Sequence, residues 1–147
     1  MNKLFGVMVA GSLLTLLLVA GSARAQMPGT EIRASIPFEF TVRGRTLPAG
    51  EYELVRVTDD PSGLMLRKVD GKHDHVVFET EALNIHNLAH KSELVFNKYG
   101  DEYFLSEVVT AGEKTGRELT PSHAERTLRR EMAKSELRPD TVSVALN

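Results

Sequence analysis

Four of the five histidines have spacings that could place two imidazoles on one metal ion. Residues two apart share a face of a strand, and residues four apart share a face of a helix, as in many zinc sites. The four are His73, His75, His86 and His90. The chain has no cysteine and no HExxH sequence, and a strand that buries Val76 and Phe78 would turn the first pair of histidines toward solvent. We therefore predict exposed histidines and no metal site, with a site at those four positions as the weaker alternative.

The remaining candidates for catalysis are isolated carboxylates and hydroxyls. Glu79 and Glu81 are two residues apart and so share one face of the predicted strand. The two acids of a glycosidase, however, usually come from different elements. No serine lies in the GxSxG sequence of a nucleophile elbow. Residues 59–63 lack the ligand spacing of a calcium loop, and their composition favours a tight turn. No glycine-rich phosphate loop is present, so we predict no catalytic residue and no cofactor.

The elements that must position these side chains are predicted to be strands. From Ile32 to Val42 apolar side chains occupy the even positions and mostly polar ones the odd positions, and only a strand converts that period into one buried face. Pro37 lacks an amide donor and so predicts an edge strand or a break between two short strands. Turn sequences recur at strand-length intervals through the rest of the chain, which favours an all-β fold, an antiparallel β-sandwich or barrel.

Two shorter segments carry more specific predictions. Asp70-Gly71 predicts a hairpin with a two-residue type I′ turn, because both central residues of that turn have positive φ. Residues 81–90 fit neither the period of a strand nor that of a helix. Two structures are therefore left open for that stretch, a strand end followed by a loop and a short helical turn.

One C-terminal α-helix is predicted near residues 121–136. Pro121 suits a first turn, and Ser122 with Glu125 has the spacing of a capping box. A narrow apolar stripe follows among basic residues, formed by Ala124, Leu128 and Met132. Such a helix either packs its stripe on the sheet or binds an anionic membrane or partner, and the acidic residues among the bases favour packing on the sheet.

The first 25 residues predict export. Lys3 precedes an uncharged apolar segment that ends in Ala23-Arg24-Ala25, so residues 1–25 read as a cleaved signal peptide and residues 26–147 as a single β domain, periplasmic or secreted. An uncleaved anchor is the alternative, whereas cleavage leaves no stable membrane span. Cleavage removes two basic residues and no acid, which changes the net charge from −2 to −4. An acidic chain of this kind is not expected to bind nucleic acid.

Three stretches of the chain carry motifs that resemble those of a known family. They are IPFxFxVxG with LPAGEY in residues 36–52, LVFxKYGDxYFLSEV in residues 94–108, and GREL in residues 116–119 followed by residues 122–126. Together they resemble a family of small exported uncharacterised proteins of the acidobacterial type, over nearly the whole mature chain. The resemblance implies no activity, cofactor or catalytic residue.

The sequence favours a binding function over a catalytic one. Core alternation, turns and the helix cap account for most residues that could do chemistry, so we expect an exported non-catalytic interaction or structural module. Its partner would be an envelope protein or polysaccharide. Tyr99 and Tyr103 are the candidate contact residues, because tyrosine offers a large contact area at low entropic cost, although both could instead complete the core. The alternative is a small metal-dependent or hydrolytic exported enzyme.

Overall fold

The computed structural model describes residues 32–71 and 74–147. The predicted signal peptide at residues 1–25 and His73 lie outside these ranges. The described residues form eleven strands and one helix, in this order: β1 (Ile32–Ile36), β2 (Phe40–Val42), β3 (Arg45–Leu47), β4 (Gly50–Arg56), β5 (Gly63–Lys68), β6 (His75–Glu79), β7 (Glu81–Asn84), β8 (Glu93–Tyr99), β9 (Glu102–Val109), β10 (Thr115–Glu118), α1 (His123–Lys134) and β11 (Asp140–Ala145). Among the described residues no helix is long and apolar enough to span a membrane.

The strands form two sheets that enclose one core. The first sheet has the antiparallel order β1-β4-β5-β6, and the second has the order β11-β8-β9-β10-β7. Strand β2 joins the second sheet through a parallel contact between Thr41 and Phe104 on β9, and β3 pairs with β2. This arrangement confirms the predicted all-β fold with one C-terminal helix, and among the two predicted forms it is the sandwich.

Alternating side chains fill the core as the sequence period predicts. Ala34, Ile36, Phe40 and Val42 are each at most 2 % exposed, while the odd positions face outward or lie at the margin of the core. The chain breaks at Pro37 into β1 and β2, which selects the second of the two expected consequences of that proline.

Aromatic rings connect the two sheets inside this core. The ring of Phe40 contacts Tyr52 of β4 and Phe96 of β8 edge to face, at centroid distances of 5.2 and 5.4 Å. The Tyr52 hydroxyl donates to the Pro48 carbonyl at 2.6 Å. Burial, with the charges of Asp74 and Asp70, raises the pKa of Tyr52 to about 12, so this hydroxyl remains a donor that fixes the turn before β4.

The chain passes from the first sheet to the second at Thr80. The backbone N–H and the hydroxyl of Thr80 both donate to the Ser62 carbonyl, at 2.9 and 3.0 Å. The Arg117 guanidinium donates to the hydroxyl oxygen and the carbonyl of Thr80, at 3.0 and 3.2 Å. Glu79 and Glu81 therefore belong to different sheets, and the expectation that they share one strand face is wrong.

The type I′ turn lies elsewhere than predicted. Strands β5 and β6 do form a hairpin, but a longer loop joins them and Gly71 does not have positive φ. The two-residue turn with positive φ at both central positions is Arg43-Gly44, between β2 and β3, with φ values of 51° and 85°. Asp70-Gly71 fails as a tight turn because the register places Arg67 opposite His75, which leaves too many residues between the strands.

The helix has the predicted position, with Ser122 as its N-cap, but a different side chain faces the sheet. Ala124 is exposed, whereas the neighbouring Glu125 is only 4 % exposed. The N–H of Glu125 donates to Ser122 Oγ at 3.2 Å, which is one of the two bonds of the predicted capping box, but the Glu125 carboxylate accepts from Asn97 and Tyr99 of β8. The predicted stripe is thus wrong at its first residue, although Leu128 and Met132 are half-buried as expected.

The end of the helix is a Schellman motif without glycine. Glu136 has φ of +58°. The N–H of Glu136 donates to the Ala133 carbonyl at 3.1 Å, and that of Leu137 donates to the Met132 carbonyl at 3.0 Å. These two bonds satisfy carbonyls at the end of the helix and turn the chain toward β11.

Candidate functional site

The outer face of the second sheet is covered by two different segments. On β8, Leu94 and Phe96 face the core, while Asn97 and Tyr99 face outward toward the helix. A bulge between Val95 and Phe96 shifts the register of β8 on β9. The helix covers the end of this face near Tyr99, and residues 85–92, the loop between β7 and β8, cover part of the other end.

Backbone hydrogen bonds hold this loop against the β9–β10 hairpin. The N–H of Ile85 donates to the Lys114 carbonyl at 2.9 Å, and that of Gly112 donates to the Ala89 carbonyl at 2.8 Å. Gly116 on β10 lets the Ile85 side chain approach closely, because a Cβ there would lie 3.1 Å from Ile85 Cδ1. Of the two structures left open for residues 81–90, the strand end followed by a loop is the one observed.

An open groove of about 540 Å³ lies between this loop and the sheet. We call it the loop groove and define it by four apolar and two acidic side chains: Leu83, Ile85, Leu88, Val109, Glu93 and Glu107. Asn84, His86, Asn87, Ala89, His90 and Lys91 also line it. Its volume falls within the range of ligand sites, and a largely apolar lining with a few polar groups is typical of them. The arrangement can therefore bind an amphipathic group.

Three carboxylates on the sheet give the groove its electrostatic character. Glu107 on β9 lies directly opposite Glu118 on β10, and Glu93 comes from β8. Burial raises the pKa of Glu107, and the charges of Glu118 and Glu93 raise it further. Within residues 32–71 and 74–147 none of the three forms an ion pair with a lysine or arginine. The repulsion among them is therefore balanced by no direct cation contact in the described part of the chain.

The candidate histidines that the structure describes lie in two places, and the remaining histidine, His123, begins the helix. His75 is exposed on β6, where its carbonyl accepts a hydrogen bond from Arg45 at 2.8 Å. His86 and His90 are exposed along the loop groove. Among the described residues no group of three or more His, Cys, Asp or Glu could hold a metal ion. The structure thus brings together only His86 and His90 of the sequence candidates, on a loop rather than a helix face.

The two candidate tyrosines have different surroundings. Tyr99 is 5 % exposed, packs edge to face on Phe104 at 5.7 Å and donates its hydroxyl to Glu125 at 3.3 Å. Burial, followed by the charge and hydrogen bond of Glu125, raises the pKa of Tyr99. It therefore packs the helix on the sheet and offers little area to a ligand.

Tyr103 keeps part of its surface accessible. Its ring stacks on Phe38 with centroids 3.9 Å apart, and Lys98 Nζ lies 5.5 Å from its centroid. A second groove of about 320 Å³ runs past this pair and is lined by the acidic residues Glu39, Asp101 and Glu102. A binding role for Tyr103 stays a prediction.

Glu93 and Glu107 were not among the sequence candidates. These two side chains come together through the bulge in β8 and the pairing of β9 with β10. The alternation of apolar and polar residues along one strand does not predict either feature. One signal was present, because a hairpin centred on Gly112-Glu113 places residues 107 and 118 opposite each other. No protein family, curated protein or solved structure matches this chain.

Proposed function

We propose that the mature chain is an exported, non-catalytic interaction module that binds its partner in the loop groove. The observation that carries this proposal is the groove itself, an apolar concavity with two carboxylates under a loop fixed by backbone hydrogen bonds. A rigid loop over a sheet presents a preformed surface, which lowers the entropic cost of binding. Export, the family resemblance and the partner are part of the proposal.

The hydrogen bonds of several reactive side chains support a binding role. The buried carboxylate of Glu53 is held by Arg33 and Arg67. The buried carboxylate of Glu125 is held by β8. The hydroxyl of Ser106 donates to the Val95 carbonyl at the bulge, and that of Ser122 caps the helix. These groups have structural roles, and we assign the binding function to the loop groove.

The second candidate function is a metal-dependent or hydrolytic enzyme, for which the loop groove supplies residue types but, within the described residues, no cluster that could hold a metal ion. His86, His90, Glu93 and Glu107 line the same groove, and these are residue types that bind zinc or transfer protons. Zinc should then raise the melting temperature in a saturable manner, because a ligand of the folded state stabilises it. We expect no such shift, and a stoichiometric one abolished by His86→Ala would favour the enzyme.

The proposal is tested by capture of envelope components on the immobilised mature protein. Leu88→Asn should abolish capture, because Leu88 is 46 % exposed on the groove wall. The matched control is Val77→Asn, since Val77 is 55 % exposed on the outer face of the first sheet. Capture that survives Leu88→Asn would contradict the proposal, as would turnover in a hydrolase screen that is lost with His86→Ala or Glu107→Gln.

A further inference from the structure

The loop groove has a charge pattern that selects its occupant. Its acidic side, formed by Glu93 and Glu107 with Glu118 beside them, belongs to the sheet, whereas its apolar wall includes Leu88 on the loop. The basic and titratable groups that line the same groove are Lys91, His86 and His90, and all three are exposed on the loop. A cation placed over the sheet would meet carboxylates, with apolar surface on its other side.

The edge of the second sheet next to the groove is open. Strand β7 is the last in its sheet, and among the described strands none pairs with its outer edge. The N–H of Ile85 donates to the carbonyl of Lys114, the residue before β10. Because the direction of backbone groups alternates along an antiparallel strand, those of Ala82 and Asn84 point away from β10 toward the open edge. Asn84 also lines the groove. Strands β10 and β7 lie between this open edge and Glu107 on β9, so a ligand of the carboxylates lies over the face of the sheet and not along its edge.

We propose that the occupant of the loop groove is an extended segment of a partner protein that carries a lysine or arginine next to apolar residues. The cationic side chain lies over Glu107 and Glu93, its aliphatic stem contacts Leu88 and Val109, and the neighbouring apolar residues contact Leu83 and Ile85. This inference rests on the proposed function and adds the chemistry of the partner. The cation relieves the repulsion among the three carboxylates, which makes charge the basis of selectivity.

The test uses synthetic peptides and the mature protein. The probe is a fluorescein-labelled peptide of four Val-Lys repeats, and its matched controls replace every lysine by glutamine or by glutamate. Fluorescence polarisation should show binding of the lysine peptide alone. Binding should weaken about tenfold in Glu107→Gln, because a hydrogen bond to a charged group is lost, and further when Glu93→Gln is added.

A control variant separates this site from general attraction to an acidic protein. Glu102→Gln removes the same charge from the opposite end of β9, outside the loop groove, and should leave the affinity unchanged. Circular dichroism of each variant establishes that it is folded. Equal loss of affinity in Glu102→Gln, or equal binding of the glutamine peptide, overturns the inference.

The outcomes also separate this inference from the proposed function. Binding that is lost in Leu88→Asn but unaffected by Glu107→Gln and Glu93→Gln means that the groove binds without using charge, and only the inference fails. Binding of the peptide that is unaffected by Leu88→Asn means that the peptide does not bind in the loop groove and the inference fails, whereas capture of envelope components that also survives Leu88→Asn means that both fail. Capture of a polysaccharide that competes with the peptide at Leu88 overturns the inference while the binding function stands.

Discussion

Two carboxylates on the two outer faces of the sandwich differ in how their charge is balanced. Glu53 on β4 accepts hydrogen bonds from Arg33 on β1 and Arg67 on β5, at 2.9 and 2.6 Å, and is 6 % exposed. Glu107 on β9 lies among other carboxylates instead. The first is a balanced cross-strand ladder that stabilises its sheet. The second is a group of negative charges that a cationic ligand can neutralise. Neutralising Glu53 should therefore lower the stability of the fold, and neutralising Glu107 should raise it.

Glu53→Gln should destabilise the fold. We expect the free energy of unfolding to fall by about 1.5 kcal/mol at pH 7, the low end for hydrogen bonds to charged groups, because both guanidinium groups are about half-exposed and water screens the pairs. The hydrogen bond from Arg67 is the main cause of the lowered pKa of Glu53. The carboxylate's contribution is therefore complete above the ordinary value of 4.5 and is lost as pH falls through the lower folded value.

Urea unfolding at a series of pH values measures this difference. The gap between wild type and Glu53→Gln should shrink toward zero below pH 4.5. Glu51→Gln is the control, since Glu51 is exposed on the same strand. A gap that stays constant at all pH values, or an equal loss in Glu51→Gln, would contradict the role assigned to the Arg-Glu-Arg ladder.

Glu107→Gln should stabilise the fold without ligand. Like charges directly opposite on antiparallel strands destabilise by about 0.2–1 kcal/mol, and the variant removes one of them at pH 7.5. Because the folded pKa of Glu107 is raised, the folded state binds a proton more readily than the unfolded chain. The cost of the charge is therefore complete above the folded pKa and vanishes below the ordinary value of 4.5. Thermal unfolding at pH 7.5 and pH 4 checks this, and a lower melting temperature for the variant at pH 7.5 would refute it.

At the scale of elements, local sequence patterns predicted which strands and which helix form, but they did not predict which side chains contact each other. The period of Ile32 to Val42 and the capping sequence at Ser122 predicted β1, β2 and the helix, because each depends on neighbouring residues alone. The inward turn of Glu125 depends on Asn97 and Tyr99 of β8, which are distant in sequence. The tight turn at Arg43-Gly44 lacked a usual Asn-Gly or Asp-Gly signal, and the register of its two strands imposes it.

The C-terminus of the helix offers a stabilising substitution. Glu136 has left-handed φ, which costs a non-glycine residue about 1–2 kcal/mol. Glu136→Gly should therefore raise the free energy of unfolding by about 1 kcal/mol, since glycine is the preferred residue after a helix end. Chemical denaturation measures the gain. The matched control is Glu131→Gly inside the helix, which should lower stability by a similar amount, and a loss in both variants would show that the end of the helix is held differently.

At the scale of the whole molecule, the all-β class was predictable and the groove proposed as the binding site was not. Regular turns and apolar alternation are sums of local signals, so they predict an antiparallel sandwich or barrel with a helix. The loop groove requires that β7, β8, β9 and β10 meet in one order and that residues 85–92 bond to the β9–β10 hairpin. Those are contacts between segments that are distant in sequence, and local sequence patterns do not predict such contacts. The same reasoning explains why His86 and His90 were candidates from their spacing alone, whereas Glu93 and Glu107, which line the same groove, were not.

The last prediction concerns the mature form of the molecule. Cleavage before Gln26 should leave the sandwich intact, because β1 begins at Ile32 and Arg33 forms its two backbone hydrogen bonds with Asn147. Intact mass of the protein recovered from the periplasm or medium should therefore correspond to residues 26–147. Small side chains at Ala23 and Ala25 are what the peptidase accepts, so Ala23→Phe with Ala25→Phe should yield the full-length mass in the membrane fraction. A wild-type protein that retains residues 1–25 would instead identify the segment as an uncleaved anchor.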